Sequence, residues 1–367
     1  MMARWCTNQI YAVSFMGTWP KRLRSCVTWV IAVIVLVGLC FLHIIDKSEI
    51  YFREEENHNV ESWIQSLPES SSFFALHVDI RSIVDRKLLN STTEIGGIGV
   101  INPHPFQFIN NPGHCQFKSN GLRTVLVLVK STVRNVLLRQ AIRTTWGNIS
   151  EENVKIVFML GRNISNDLQR TIDQEAARYK DLVQEDFIDA YFNNTLKSIM
   201  SFNWATQYCG NAQFLLFVDD DFVIDLPKIQ RYIYSIPETD VDTLFIGQRI
   251  TQPVVRDRNS KWSLSWKVYP YKYWPPYLAG GAFLASMQVA KQFSFAFPYI
   301  HSLGIDDAWL GIVARNVRVH PQDHHFFHNN GRHSHLALVY QCCHTQKEML
   351  NTWWQHKHNK SFRFGKI

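Results

Sequence analysis

Apolar residues in this chain follow two rhythms. Short unbroken runs at 124–130, 154–160 and 214–218 predict strands buried on both faces, and 182–187 predicts a shorter one. Between these runs lie segments of helical period. Residues 134–146 carry Arg139 and Arg143 one turn apart, and 167–179 are mostly polar on one face. Residues 195–208 set Leu196, Ile199, Met200 and Trp204 on one side, which predicts an amphipathic helix. A later helix over 305–316 opens on Asp306-Asp307 and buries Trp309, Ile312 and Val313. Strands alternating with helices predict an α/β layer fold with a mainly parallel sheet.

The N-terminal third breaks this rhythm. Residues 26–45 hold no formal charge over twenty positions, enough to span a hydrocarbon core as a helix. A cleaved signal peptide would have a shorter apolar core ending in small residues, and this stretch has neither. Lys21, Arg22 and Arg24 precede the span, whereas Asp46, Glu49, Glu54, Glu55 and Glu56 follow it. The excess of positive charge predicts a cytosolic tail over 1–25, a signal-anchor over 26–45 and a body on the far side. Residues 46–118 lack sustained periodicity, are rich in Ser, Asn and acids, and end among Gly96-Gly97, Pro103, Pro105 and Pro112-Gly113. They predict a stem with little core of its own, and the body begins at 119.

Composition adds limits. Hydrophobic content of 46% with 13% aromatic residues is that of a folded chain able to bury one large core or two smaller ones. Setting aside Arg4, Lys21, Arg22 and Arg24 lowers the formal charge from +7 to +3, which is no nucleic-acid footprint. Cys6, Cys26 and Cys40 lie in the N-terminal region and Cys115, Cys209, Cys342 and Cys343 in the body. None has zinc-finger spacing, so disulfides and thiols both remain open.

The candidate chemistry gathers at the end of one run, where Phe214-Leu215-Leu216-Phe217-Val218 meets Asp219-Asp220-Asp221. Three adjacent carboxylates repel one another unless a cation sits among them, and a hard divalent ion bridging a diphosphate is one candidate. Capping of the next helix is the plainer reading, but Asp225-Leu226-Pro227 already suits that role. The alternating acids and central Gly of a calcium loop are missing. Ligands of parallel sheets sit at the carboxyl ends of strands, where Lys130-Ser131 also falls.

Further on, 262–277 is dense in Trp, Tyr and Pro, which suits either stacking on a sugar or an ordinary core patch. Ala279-Gly280-Gly281 lets the backbone pass close to a neighbour. Asp306-Asp307 suits a first turn, where acids oppose the helix dipole. Seven of the fifteen histidines fall within 320–344, without an HExxH zinc motif. Glycosylation sequons stand at Asn90, Asn148, Asn163, Asn193 and Asn359.

Six ordered blocks over about 119–355 carry a resemblance. They are Arg139-Gln140-Ala141-Ile142-Arg143-Thr144-Thr145-Trp146, the run from Asp186 to Lys197, and Phe217-Val218-Asp219-Asp220-Asp221. The others are Trp274-Pro275-Pro276-Tyr277 with Gly280-Gly281, Asp307-Ala308-Trp309-Leu310-Gly311, and His344 with Glu348-Met349 and Trp353. The chain resembles glycosyltransferase family 31, the β-1,3-galactosyl- and N-acetylglucosaminyltransferases, and is most similar to its Brainiac-type members acting on glycolipid precursors. The resemblance implies a GT-A fold, a UDP-sugar donor, Mn²⁺ and a type II protein of the Golgi membrane with a luminal catalytic domain. It implies metal ligation by Asp219, Asp221 and His344, and a general base at Asp307. It also implies a donor side of Ser131, Arg139, Arg143, Asp189, Lys197, Asp219 and Asp220, and an acceptor side of Trp274, Tyr277, Gly280, Gly281 and Asp306. The expected reaction is inverting β-1,3 transfer, of N-acetylglucosamine first and galactose second, to a glycolipid or glycoprotein glycan. A homodimer is a candidate assembly. A catalytically silent luminal glycan-binding protein or chaperone is the alternative of another class, opposed by the intact acids and His344. Two departures bear on the acceptor: Asp306-Asp307-Ala308 stands where the family often has Glu-Asp-Val, and Ala279 replaces the first of three glycines.

Overall fold

An unbroken apolar run needs cover on both faces, and every residue of strand Val125–Lys130 is buried. The computed structural model describes residues 79–89, 99–118, 121–149, 151–328 and 337–361. All of them lie in one unit, Leu67–Ile367. The expected anchor at 26–45 and tail at 1–25 lie outside them. Among the described residues no helix is long and apolar enough to cross a membrane.

In chain order the first half comprises α1 (Ile80–Leu88), β1 (Phe108–Asn110), β2 (Val125–Lys130), α2 (Val136–Thr144), β3 (Val154–Arg162), α3 (Asn166–Tyr179), β4 (Leu182–Ile188) and α4 (Asn194–Tyr208). β5 (Phe214–Asp219), β6 (Phe222–Ile224), α5 (Leu226–Ser235), α6 (Glu238–Val241), β7 (Phe245–Ile250) and β8 (Tyr277–Ser286) follow. Then come α7 (Met287–Ala296), α8 (Asp306–Asn316), β9 (Gln322–Asp323), β10 (Phe327–His328), β11 (Val339–Gln341) and α9 (Gln346–Ser361).

The large sheet has the order β1-β4-β3-β2-β5-β8-β7-β9. Its four central strands, β4-β3-β2-β5, are parallel, as the alternation of strand and helix predicts. Outside them β1, β8 and β7 pair antiparallel, so the sheet is mixed. The chain runs β2-β3-β4 in one direction, then returns to place β5 on the other side of β2. That reversal opens a crevice at the carboxyl ends of β2 and β5, where Lys130 pairs with Asp219 in register.

Successive residues of these strands feed two cores. Leu126, Leu128, Leu215 and Phe217 join one with α4, α7 and α8. Val125, Val127, Leu216 and Val218 join the other with α2 and α5. On the first side Phe202, Phe217 and Phe283 stack at 4.3 and 4.6 Å between centroids. This explains a departure from expectation in α4. It is buried on more than one side, including Lys197, Ser198 and Ser201, because α7 and α8 cover the face turned from the sheet.

The expected stem needs correction. Ile80, Ile83 and Val84 of α1 are buried against α7. β1 extends the large sheet along β4, and Cys115 is disulfide-bonded to Cys209 at the end of α4. Part of 46–118 therefore belongs to the folded body. Cys342 and Cys343 form a second disulfide.

Candidate active site

The acidic triplet is split by the end of its strand. Asp219 closes β5, whereas Asp220 and Asp221 form the turn into β6, which joins the small sheet β10-β11-β6. Their side chains go to three different sets of partners.

Asp219 meets Lys130, the last residue of the neighbouring strand. The Lys130 ammonium lies 3.1 Å from Asp219 Oδ1 and 3.1 Å from Asp306 Oδ2, and donates to the Gly280 carbonyl at 2.9 Å. The cation that three adjacent acids call for is thus partly supplied by the chain itself. Burial alone would lower the Lys130 pKa, but Asp219 and Asp306 outweigh it and hold the amine charged. Desolvation raises the pKa of Asp219, Lys130 pulls it back, and the charges of Asp221 and Asp306 push it up again, with a net upward shift.

Asp220 turns inward. Its Oδ2 accepts from Ser131 Oγ at 2.6 Å and Asn135 Nδ2 at 2.9 Å. Asp221 faces the small sheet, where its Oδ2 accepts from Gln341 Nε2 at 2.7 Å and lies 3.7 Å from His344 Nδ1. The backbone N–H groups of Cys342 and Cys343 donate to the Asp221 carbonyl. Among the described residues, Asp221 Oδ1 has no hydrogen-bond partner although it is buried.

Asp306 and Asp307 begin α8 without acting as its N-cap, which is Ile305. Asp307 Oδ1 accepts from the Ala308 N–H at 2.7 Å, and Oδ2 from the Gly280 N–H at 3.3 Å. A Cβ on Gly280 would lie 3.2 Å from Asp307 Cβ, so the neighbour that the glycines admit is this carboxylate. One turn later Gly311 lies against Tyr277, where an added Cβ would come within 2.6 Å of the tyrosine Cβ. Two glycines thus press β8 onto α8. Desolvation and the Asp306 charge push the Asp307 pKa up to about 6, against its two N–H bonds and Lys130. Such a carboxylate is mostly ionised at neutral pH and more basic than an ordinary one, as a proton acceptor requires.

Other expected site residues lie elsewhere. Arg139 is wholly buried and binds Glu175 through Nε at 2.9 Å and Nη2 at 2.7 Å. Its Nη1 donates to Ser131 Oγ and to the Thr132 carbonyl. Arg143 bonds Asp181 twice at 2.8 Å and Glu175 at 2.8 Å. These arginines neutralise buried acids behind the crevice. Lys197 is buried too, bonding Asp189 at 2.8 Å and the Ser131 carbonyl at 2.6 Å, and so it braces the turn after β2. Trp274 and Tyr277, only 3% and 4% exposed, offer no ring to a sugar. Trp274 packs on Tyr269, and Tyr277 accepts from Gln252 at 2.7 Å. Gly281 lies beside Gly280 in β8, half-buried. Among the sequons, Asn148 is exposed, while Asn163 and Asn193 are half-buried. Asn90 and the side chain of Asn359 lie outside the described residues.

The sequence that builds this site matches known proteins. Residues 138–325, from α2 past α8, match the Galactosyltransferase family. The chain belongs to this family. A lactosylceramide 1,3-N-acetyl-beta-D-glucosaminyltransferase of Homo sapiens is 32% identical over 320 residues, 84% of this chain and 80% of the relative. A second protein of that description, from Danio rerio, is 32% identical over 302 residues, 76% of this chain and 78% of its own length. The beta-1,3-galactosyltransferase 1 of Mus musculus is 30% identical over 247 residues, 66% of this chain and 73% of its own. The family member described here is a glycosyltransferase.

The donor set suits a divalent cation in part. A buried carboxylate oxygen without a partner beside an imidazole is an oxygen-and-nitrogen pair of the kind such ions take. Among the described residues, however, no three His, Cys, Asp or Glu side chains are gathered to hold an ion, and Asp219 is drawn to Lys130. Asn135 and Gln341 escaped the sequence reading of the site, and Lys130, placed there among the strand ends, was not assigned its part as the acids' cation. That part was legible, since Lys130 ends a fully buried strand level with the acids.

Proposed function

We propose that this glycosyltransferase moves N-acetylglucosamine from UDP-N-acetylglucosamine to the 3-hydroxyl of a lactose-terminated glycolipid, forming a β-1,3 bond on a GT-A-type fold. The observation that carries the reading is Asp307. Its carboxylate is held by two backbone N–H groups beside Lys130 and Asp306, with a pKa of about 6. Asp307 takes the proton of the acceptor hydroxyl as that oxygen attacks the anomeric carbon. The bond from that carbon to the UDP oxygen breaks on the opposite face, its electron pair leaves with the diphosphate, and the configuration inverts. General-base help of this kind contributes about 10²–10⁴-fold. Lys130, shared between Asp306 and Asp219, offsets part of the negative charge that faces the acceptor. Asp221 and His344, with Asp219, would hold Mn²⁺, which when bound supplies positive charge to the departing diphosphate.

Similarity to the human and zebrafish relatives favours N-acetylglucosamine, and the mouse relative supports galactose as the second donor. The uncharged span at 26–45 and its basic flank support a type II protein with its catalytic domain in the Golgi lumen.

The test is transfer by the full-length protein in detergent, with UDP-N-acetylglucosamine or UDP-galactose and lactosylceramide, with Mn²⁺ or with EDTA. N-acetylglucosamine in β-1,3 linkage is expected, lost in EDTA and restored by Mn²⁺. Transfer of galactose instead would overturn the donor, full activity in EDTA the metal, and glycan binding without transfer from either donor the enzymatic reading.

A further inference from the structure

We propose that Tyr191, Phe192 and Trp262 form a platform for the acceptor saccharide, carrying the sugar next to the one that reacts. The proposal rests on the transfer reading above and names the part of the protein that holds the acceptor.

Three large aromatic side chains stand exposed together: Tyr191 at 45%, Phe192 at 67% and Trp262 at 48%. Among the described residues, the exposed Trp266 and Trp354 each have a neighbour close against the ring. The Arg256 guanidinium lies 3.9 Å from the Trp266 ring, and His358 stacks on Trp354 at 3.9 Å. Trp262 is fixed by its edge, with Nε1 donating to Tyr191 Oη at 2.9 Å, and the Lys261 ammonium lies over its ring. Tyr191 and Phe192 meet edge to face at 5.6 Å. The rings thus come from two separate loops and are locked together without burial. A pyranose has one face of C–H bonds, which suits such rings, and hydroxyls at its rim. Lys261, 4.8 Å and 4.7 Å from the Tyr191 and Trp262 centroids, supplies a donor for those hydroxyls.

The platform adjoins the reacting carboxylates. Tyr191 and Phe192 lie in the one-turn 3₁₀ segment Tyr191–Asn193 that leads into α4. Asn193 Nδ2 holds that turn by donating to the Ile188 carbonyl at 2.8 Å. Phe192 packs against Gly304, where an added Cβ would lie 3.5 Å from its ring, and Gly304 is two residues before Asp306. Thr195 Oγ1 donates to the Leu303 carbonyl, and Ser198 Oγ to Asp306 at 3.1 Å. The start of α4 is thereby tied to the start of α8 at three points. A saccharide whose terminal hydroxyl reaches Asp307 has its next ring on this side.

The test compares Trp262→Ala and Trp262→Phe with the parent full-length protein, using lactosylceramide in detergent and a fluorescent, soluble lactose-terminated oligosaccharide. Trp262→Ala should raise the acceptor KM and weaken oligosaccharide binding by about tenfold or more, the scale of one lost ring contact. The KM for UDP-N-acetylglucosamine should move less than twofold, and Trp262→Phe should recover most of the loss. Weakened oligosaccharide binding in Trp262→Ala supports the platform even if the parent transfers no sugar, and that result would count only against the transfer reading. Unchanged acceptor KM and binding, with transfer intact, overturns the platform and leaves the reaction standing. Loss confined to sedimentation with acceptor-free phosphatidylcholine vesicles also overturns it, by making the patch a membrane face.

Discussion

Two charged clusters lie on either side of the turn after β2, and they treat their carboxylates in opposite ways. In the cluster behind the crevice, burial would raise the Glu175 pKa, but Arg139 and Arg143 more than compensate and hold it low. Each acid there has a guanidinium fitted to it. At the crevice, Lys130 is shared between Asp219 and Asp306, and the pKa values of Asp219 and Asp307 are raised. Acids matched one for one with cations make scaffold. Acids left with too little positive charge keep their affinity for protons and cations, which is what a transferase needs.

Asp307→Asn is the sharpest way to break this contrast. It should lower kcat by about 10²–10⁴-fold with the donor KM little changed, measured by steady-state transfer. Parent-level turnover in a folded variant would move the base elsewhere, with Asp306 next in line. On the scaffold side, Arg139→Ala leaves Glu175 buried without its main partner. It should cost about 3–5 kcal/mol of stability in thermal unfolding, while kcat per folded molecule stays within a few-fold of the parent. A large kcat loss in the folded fraction would place Arg139 at the donor site.

The two clusters should also answer pH oppositely. Glu175, with its pKa held down, contributes stability that is present above the ordinary carboxylate range and lost as pH falls. Asp307, raised from 3.8 to about 6, contributes stability that is complete below about 3.8 and lost as pH rises through about 6. Asp307→Asn should therefore unfold at a higher temperature than the parent at pH 7, by about 1–2 kcal/mol, with the gap closing toward pH 4. In the parent, kcat should fall about tenfold per pH unit below pH 6, where Asp307 is protonated, and level off above pH 7. A profile flat to pH 5 would sink the assignment. The smallest expected effect is that of His344→Ala. This side chain is 78% exposed, so its loss should leave the fold intact and raise the Mn²⁺ required for half-maximal transfer several-fold.

Elements with strong local signals were legible in the chain. The runs at 124–130, 154–160 and 214–218 became β2, β3 and β5, and Asp225 caps α5 with Pro227 in its first turn, as its position suggests. The antiparallel flank was not legible. β8 reads as Tyr277-Leu278-Ala279-Gly280-Gly281-Ala282-Phe283-Leu284-Ala285-Ser286, and its small residues resemble a loop until α8 and β5 are packed beside it. The aromatic stretch at 262–277 divided in a way that composition could not foresee, with Trp274 and Tyr277 in the core and Trp262 on the surface.

By itself, the sequence determined the strand-helix alternation, the acids at a strand end, and the glycines that let the backbone pass close to a neighbour. These are properties of neighbouring residues, written in period, charge and side-chain size. Only the tertiary structure decided which cation meets which acid. Arg139 and Arg143 share a helix face with no acid near them in the chain, and Glu175 and Asp181 come to them from α3 and the turn after it. Lys130 reaches Asp219 because β2 and β5 are adjacent, and Asp306 because α8 returns over the same strand ends. Charge pairing depends on distance in space, and the reversal of strand order between β2 and β5 sets those distances.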